Sequence, residues 1–238
     1  MENKIKDNNP IIIYAAGGVA APLREICDNF AKLNKIEFKF YFGPGRELTE
    51  IIEEENNGDI VSFGADFFSD LLEDKKLIKK ENRYSIGFRE LSILIKKENP
   101  VNIVNLDSLS NENMRIGIAY DGCLAGINES LFLSHNPAQY NSFKDNIVFH
   151  SHSCGKLVNS LIQDKVDAII GWNTFKEYSR DKISVIKLPA EKQILRTTNI
   201  SILNSSKNPD IAQEIIDYIK LEKNLRIYEK HGWKILNN

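Results

Sequence analysis
The sequence contains no run approaching the roughly 18 consecutive apolar residues of a membrane-spanning helix, and its opening stretch, Met1 to Pro10, is polar where the apolar centre of a secretory leader would lie. An exported protein of this sequence is therefore expected in processed form, its leader, with or without a lipid anchor, already removed. Charge of one sign is missing as well. With 31 basic and 33 acidic residues the net charge is −2, so no global field draws the chain to nucleic acid or to an anionic membrane, and any anion must be caught by local geometry. Cysteine is scarce: Cys27, Cys123 and Cys154 are all there is, an odd number without the regular spacing of a small disulfide scaffold, which leaves the redox compartment open. Close internal repeats and long low-complexity linkers are absent too. What remains, 238 residues with 42% hydrophobic content, suffices to bury the core of one large domain or two modest lobes and excludes disorder.

Against these absences stand two glycine-rich turns near the start, Tyr14-Ala-Ala-Gly-Gly-Val-Ala-Ala-Pro22 and Tyr41-Phe-Gly-Pro-Gly-Arg-Glu-Leu48. Each follows a strand-like apolar run and precedes a helical one, so unpaired N–H groups at two helix N-termini are expected to converge on one anion. Ile11 to Tyr14 reads as a buried strand and Pro22 to Leu33 as a helix with Leu23, Ile26, Cys27, Phe30 and Leu33 on its buried face. Ile36 to Phe42 gives a second strand, Leu48 to Glu54 a second helix, and Asp59 to Phe63 a third strand ending at Gly64-Ala65-Asp66. After it, Phe67, Phe68, Leu71 and Leu72 form the core stripe of a helix. This βαβαβ alternation predicts a mainly parallel sheet with ligands beyond the carboxyl ends of its strands.

A second series begins at Leu91 to Ile95, passes through a Met114 to Ala119 strand, and continues with a Lys156 to Gln163 helix leading into Val166 to Gly171. After Ile183 to Pro189 come another strand, Ile200 to Leu203, and a helix opened by Asn208-Pro-Asp210 with Ile211, Ile215, Ile216 and Ile219 on one side, a tail expected to return to the first lobe. The reading is α/β, with two Rossmann-like lobes: residues 1–88 and 199–238 form the first and 89–198 the second. Short crossover strands near 86–93 and 195–201 join them, leaving a central cleft and a hinge.

In their order, Tyr14 to Val19, Phe42 to Leu48, Asp59 to Asp66, Ala125-Gly126, Val166 to Trp172 and Ser205 to Pro209 resemble the molybdate- and tungstate-binding proteins of ABC importers, which have the type II periplasmic-binding-protein fold. The resemblance runs from about Ile11 to Trp233. It implies an extracytoplasmic or periplasmic binder rather than an enzyme, monomeric and without cofactor, that delivers a small oxyanion to a membrane permease and binds no nucleic acid. In that family, serine hydroxyls and backbone N–H groups of both lobes hold a tetrahedral oxyanion. The resemblance puts the first-turn serine at Gly18, beside Gly17, and the second-turn serine at Gly45, so both hydroxyls are missing here. Ala65, Ala125 and Cys154 would supply backbone donors, Cys123 lies in the same second-lobe neighbourhood, and Trp172 takes the place of a pocket tyrosine. Arg46, next to Gly45, is a candidate for the charge such a nest lacks.

The segment His150-Ser-His-Ser-Cys154 departs most from that pattern. In an extended chain His150, His152 and Cys154 point to one face, and with Cys123 they offer two thiols and two imidazoles to a soft or borderline metal such as zinc or copper. The same residues give the one enzymatic alternative, a Cys154 nucleophile with His150 or His152 as base and Asp121 as orienter. No cysteine-hydrolase signature surrounds them.

Overall fold
The computed structural model describes residues 9–119, 124, 127–135 and 137–235, and the chain divides into two compact units, residues 1–86 with 198–228 and residues 87–197 with 229–238. In the first unit β1 (Ile11–Ala16) pairs in parallel with β2 (Phe38–Gly43) on one side and β3 (Ile60–Phe63) on the other. The connections are α1 (Ala20–Asn34), entered through a 3₁₀ turn at Gly17–Val19, and α2 (Gly45–Glu55). Each helix stops in a left-handed residue, Lys35 after α1 and Asn56 after α2, whose N–H closes the last turn on Ala31 and Ile52 respectively. These sharp stops return the chain to the next strand at once.

Next come α3 (Asp66–Asp74) and a long strand β4 (Ile78–Lys96) that leads out of this unit, and the chain returns along β9 (Leu195–Leu203), which pairs antiparallel with β3. Helix α7 (Pro209–Lys220) then packs on α1, burying Ala212, Ile215, Ile216 and Ile219. Buried Asp59 fastens the layers, accepting the Ile12 N–H at 2.9 Å and the Ser206 hydroxyl at 2.7 Å. Just before it, Gly58 has φ +126°, and a Cβ there would sit 2.5 Å from the Tyr14 ring, so both the backbone and the space require glycine. Two expected core positions are outside: Leu33 is 68% and Phe67 60% exposed. Leu33 lies in the last turn of α1, and in α3 the apolar packing is carried by the buried Phe68 and Leu72.

The second unit repeats the logic. Strand β5 (Ile116–Ala119) pairs in parallel with β6 (Ile147–Ser151) and β7 (Ala168–Trp172), and β4 lies antiparallel to β7 and to β8 (Ile183–Lys187). Helices α4 (Ile127–His135), α5 (Tyr140–Asp145) and α6 (Cys154–Ile162) connect the strands. Leu91, Ile93, Leu157, Leu161, Ile169 and Trp172 are among its fully buried core. Arg115 ties the sheet to the loop before β7, its guanidinium and its own N–H both meeting the buried Asp167 carboxylate.

Helix α8 (Glu222–Lys230) carries the chain from the first unit into the second, which corrects the assignment of residues 229–238 to the first lobe. Lys234 bridges Phe88 in antiparallel fashion, and the Asn173 side chain donates to the Gly232 carbonyl at 2.7 Å. Main-chain and amide bonds to distant residues hold this tail, and they leave no mark in its local hydrophobic pattern.

Candidate functional site
In the first unit three helix N-termini open where neighbouring parallel strands end. β1 runs into the Gly17–Val19 turn and α1, β2 into α2 at Gly45, and β3 through Gly64 and Ala65 into α3. The residues preceding these elements are Ala16, Val19, Pro44 and Ala65, and none caps its helix through a side chain. No side-chain cap takes up their first-turn N–H groups, and the positive ends of the helix dipoles lie behind them. Gly17, Gly18, Gly45, Arg46 and Ala65 all belong to these turns, so the local fold assembles the first-unit candidates at the carboxyl ends of three adjacent strands. Arg46 is exposed on the first turn of α2, and among the described residues it forms no ion pair, with Glu50 or any other acid.

Gly45 has a packing role that the sequence did not reveal. A Cβ there would lie 2.6 Å from two carbons of the Phe68 ring, a side chain buried in α3. A serine at this position therefore has no room while Phe68 occupies the site, which gives a physical reason for the missing hydroxyl. Acidic groups also stand at two of the turns, Glu47 in α2 and Asp66 in α3. Asp66 does not confront an anion with a bare charge: its Oδ1 accepts the Asn199 amide at 2.6 Å and Arg83 at 2.9 Å. Both partners come from the long strands β4 and β9.

In the second unit Cys154 is half-buried at the first position of α6, after Ser153. The Ser151 hydroxyl accepts the Ser153 N–H at 3.1 Å and donates to the Ser153 carbonyl at 2.8 Å. This turn corrects the premise of an extended His-x-His-x-Cys segment. Strand β6 ends at Ser151 and the chain is helical from Cys154, so a period of two does not carry through to the cysteine. His150 and His152 are exposed, and among the described residues no group of three or more His, Cys, Asp or Glu side chains is close enough to hold a metal ion. Cys123, Ala125 and Asp121 lie outside the described residues.

Trp172 ends β7 fully buried, with the Arg89 guanidinium 5.1 Å from its ring centroid. Asn173 beside it is committed to structure, accepting the Glu90 N–H at 2.9 Å while donating to Gly232. Arg89 was not singled out by sequence reasoning. The available signal was a cation interrupting an otherwise apolar strand run.

Parallel strands that end in uncapped helix N-termini, in each of two α/β units, are the build of a protein that binds small solutes. The chain belongs to the bacterial extracellular solute-binding proteins, whose family model matches residues 11–234. A Haemophilus influenzae protein to which a binding role is ascribed is 23% identical over 94% of this chain and 90% of its own length. Among solved structures, PEB3 of Campylobacter jejuni superimposes with a TM-score of 0.80 at 22% identity, over 95% of this chain and 100% of that one. The same protein with L-phospholactate bound gives a TM-score of 0.82 at 23% identity with the same coverage. The periplasmic molybdate-binding protein of Azotobacter vinelandii gives 0.81 at 14% identity, again over 95% and 100%. The expected periplasmic-binding-protein fold is therefore the fold of this chain.

Proposed function
We propose that this protein is the extracytoplasmic solute-binding component of an ABC importer and that its ligand is a small oxyanion. One observation carries the reading: three helix N-termini without side-chain caps open at the carboxyl ends of the adjacent strands β2, β1 and β3. Such N–H groups bind a tetrahedral or carboxylate oxygen without a full counter-charge. Molybdate and tungstate fit this description, and the likeness to the Azotobacter molybdate-binding protein supports the first. Each hydrogen bond to a charged group contributes about 1.5–3 kcal/mol, so the two absent serine hydroxyls must be offset by backbone donors or by Arg46. A phosphate ester is held by the same N–H geometry, and Arg46 suits its extra charge. The monomeric liganded protein would be read by a membrane permease through a shift in conformational population.

A thermal-shift screen of metal-stripped protein with molybdate, tungstate, sulfate, phosphate, L-phospholactate, zinc and copper tests this. A ligand at 100 times its dissociation constant adds about 2.7 kcal/mol to the native state. Stabilisation by one or more of the oxyanions is expected. Stabilisation by a metal alone, lost in Cys154→Ser or His152→Ala, would overturn the reading and assign the site to a metal.

A further inference from the structure
We infer that Arg83 and Asn199 are positioning residues for the oxyanion site of the first unit. They tie the Asp66 carboxylate to strands β4 and β9 and offset its charge, and so set anion affinity without touching the anion. The inference rests on the oxyanion reading above and deepens it. All three residues belong to the first unit. Asp66 is the first residue of α3, one of the helices whose N-termini open at the strand ends. A carboxylate there is attracted by the positive end of its own helix, where it competes with a bound anion and repels it. Its Oδ1 accepts the Asn199 amide at 2.6 Å and the Arg83 guanidinium at 2.9 Å instead.

The sequence of α3 makes such a clamp necessary. Asp66, Asp70 and Glu73 stand at i, i+4 and i+7, which lines three acids along one face of the helix. Arg83, in the first half of β4, meets all of them: Nη2 reaches Asp66, while Nη1 pairs with Asp70 and lies 3.7 Å from Glu73. With its side chain 18% exposed, Arg83 acts through a medium less polar than bulk water, which strengthens its effect. Asn199 is itself held in place. It lies opposite Phe63 in the β3 to β9 pairing, its carbonyl accepts the Ser62 hydroxyl at 3.0 Å, and it is buried. Loss of the Arg83 charge would leave this acidic face uncovered at the mouth of α3 and let Asp66 turn toward the first-turn N–H groups. A mere staple between β4 and α3 would respond neither to salt nor to neutralisation of Asp66.

Calorimetric titration of the wild type, Arg83→Gln, Asp66→Asn and the double variant tests the inference with molybdate, phosphate and L-phospholactate as probes. Titrations at about 0.01 M and about 1 M ionic strength shorten the screening length from about 30 Å to about 3 Å. Arg83→Gln should weaken binding of a dianion such as molybdate about tenfold at low salt and less than about threefold at high salt. Asp66→Asn keeps a carbonyl acceptor but removes the charge, so it should bind at least as tightly as the wild type. In the double variant it should recover most of the Arg83→Gln loss. Circular dichroism melts show whether each variant is folded, and if Arg83→Gln does not fold, weaker binding by Asp66→Asn than by the wild type still overturns the inference. Unchanged low-salt affinity in Arg83→Gln, a loss of equal size at both salt concentrations, or no rescue by Asp66→Asn would overturn the clamp and leave the oxyanion reading standing. Binding of none of the probes by the wild type would overturn both.

Discussion

Replacing Gly45 by alanine should destabilise the protein even though alanine is the better helix former. The new Cβ would stand 2.6 Å from Cδ2 and Cε2 of Phe68 and 3.0 Å from its Cζ, where unstrained carbons keep about 3.5–4.0 Å. The ring must therefore retreat by roughly 1 Å. It has little space for this, being 7% exposed and lying with its centroid 5.5 Å from Phe63 and 5.3 Å from Phe67. Overpacking of this kind costs about 1–3 kcal/mol. The gain in helix propensity from glycine to alanine is at most about 1 kcal/mol, and less at the first helical position. A net loss of about 1–2 kcal/mol follows, which lowers the melting temperature of a chain this size by about 2–8 °C. Differential scanning calorimetry of the unliganded protein measures it, and the double variant Gly45→Ala with Phe68→Leu should lose less than the two single losses added together. A Gly45→Ala variant that melts at or above the wild type would refute the claim that Phe68 dictates this glycine.

Asn173→Ala should cost about 2–4 kcal/mol, because it strands the buried Glu90 N–H and the Gly232 carbonyl together; hydrogen exchange should then accelerate in residues 229–235, and unchanged exchange there would remove Asn173 as the anchor of the tail. Burial, followed by the nearby Glu55 carboxylate, pushes the Tyr14 phenol up to about 12. The folded state therefore holds this proton more tightly than the unfolded state does. Stability should fall as pH rises from about 10 to about 12, and urea melts of Tyr14→Phe should show a shallower fall over that window. Burial also pushes the Cys27 thiol well up, so in native protein iodoacetamide should modify half-buried Cys154 long before Cys27, a contrast that peptide mass spectrometry reads and that 6 M urea should abolish.

Local patterns revealed much of the architecture. The stripe Leu23, Ile26, Cys27 and Phe30 is buried as its helical spacing requires, and the strand runs at 11–14 and 60–63 form the sheet centre of the first unit. Sequence also located the turns at Gly17 and Gly45, since strand, glycine and helix follow one another within a few residues. It could not reveal that Phe68, more than twenty residues later, presses on Gly45. Nor could it show that Arg89 lies over Trp172, because strand register across so long a separation is set by the whole sheet. The tail from Glu229 onward escaped for the same reason: Phe88, Asn173 and Gly232 meet through main-chain and amide groups that any residue order disguises. At the histidine segment the error was one of local structure, since the bend after Ser151 ended the strand two residues before alternation was needed.

The return of the chain along β9 bears on how an exported protein is made. The Ser62 hydroxyl donates to the Asn199 carbonyl across 137 positions of sequence, and β3 has no β9 beside it until that segment exists. At bacterial rates of about 5–20 residues per second, roughly 7–27 s separate the synthesis of the two partners. The apolar run Ile60, Val61 and Phe63 waits through that interval with one sheet edge open. A nascent chain in this condition cannot complete its first-unit sheet before β9 is made, and until then it exposes a segment that a chaperone can hold. The discontinuous unit thus works as a built-in delay, in which closure of the first-unit sheet waits for a segment 137 positions further along the chain.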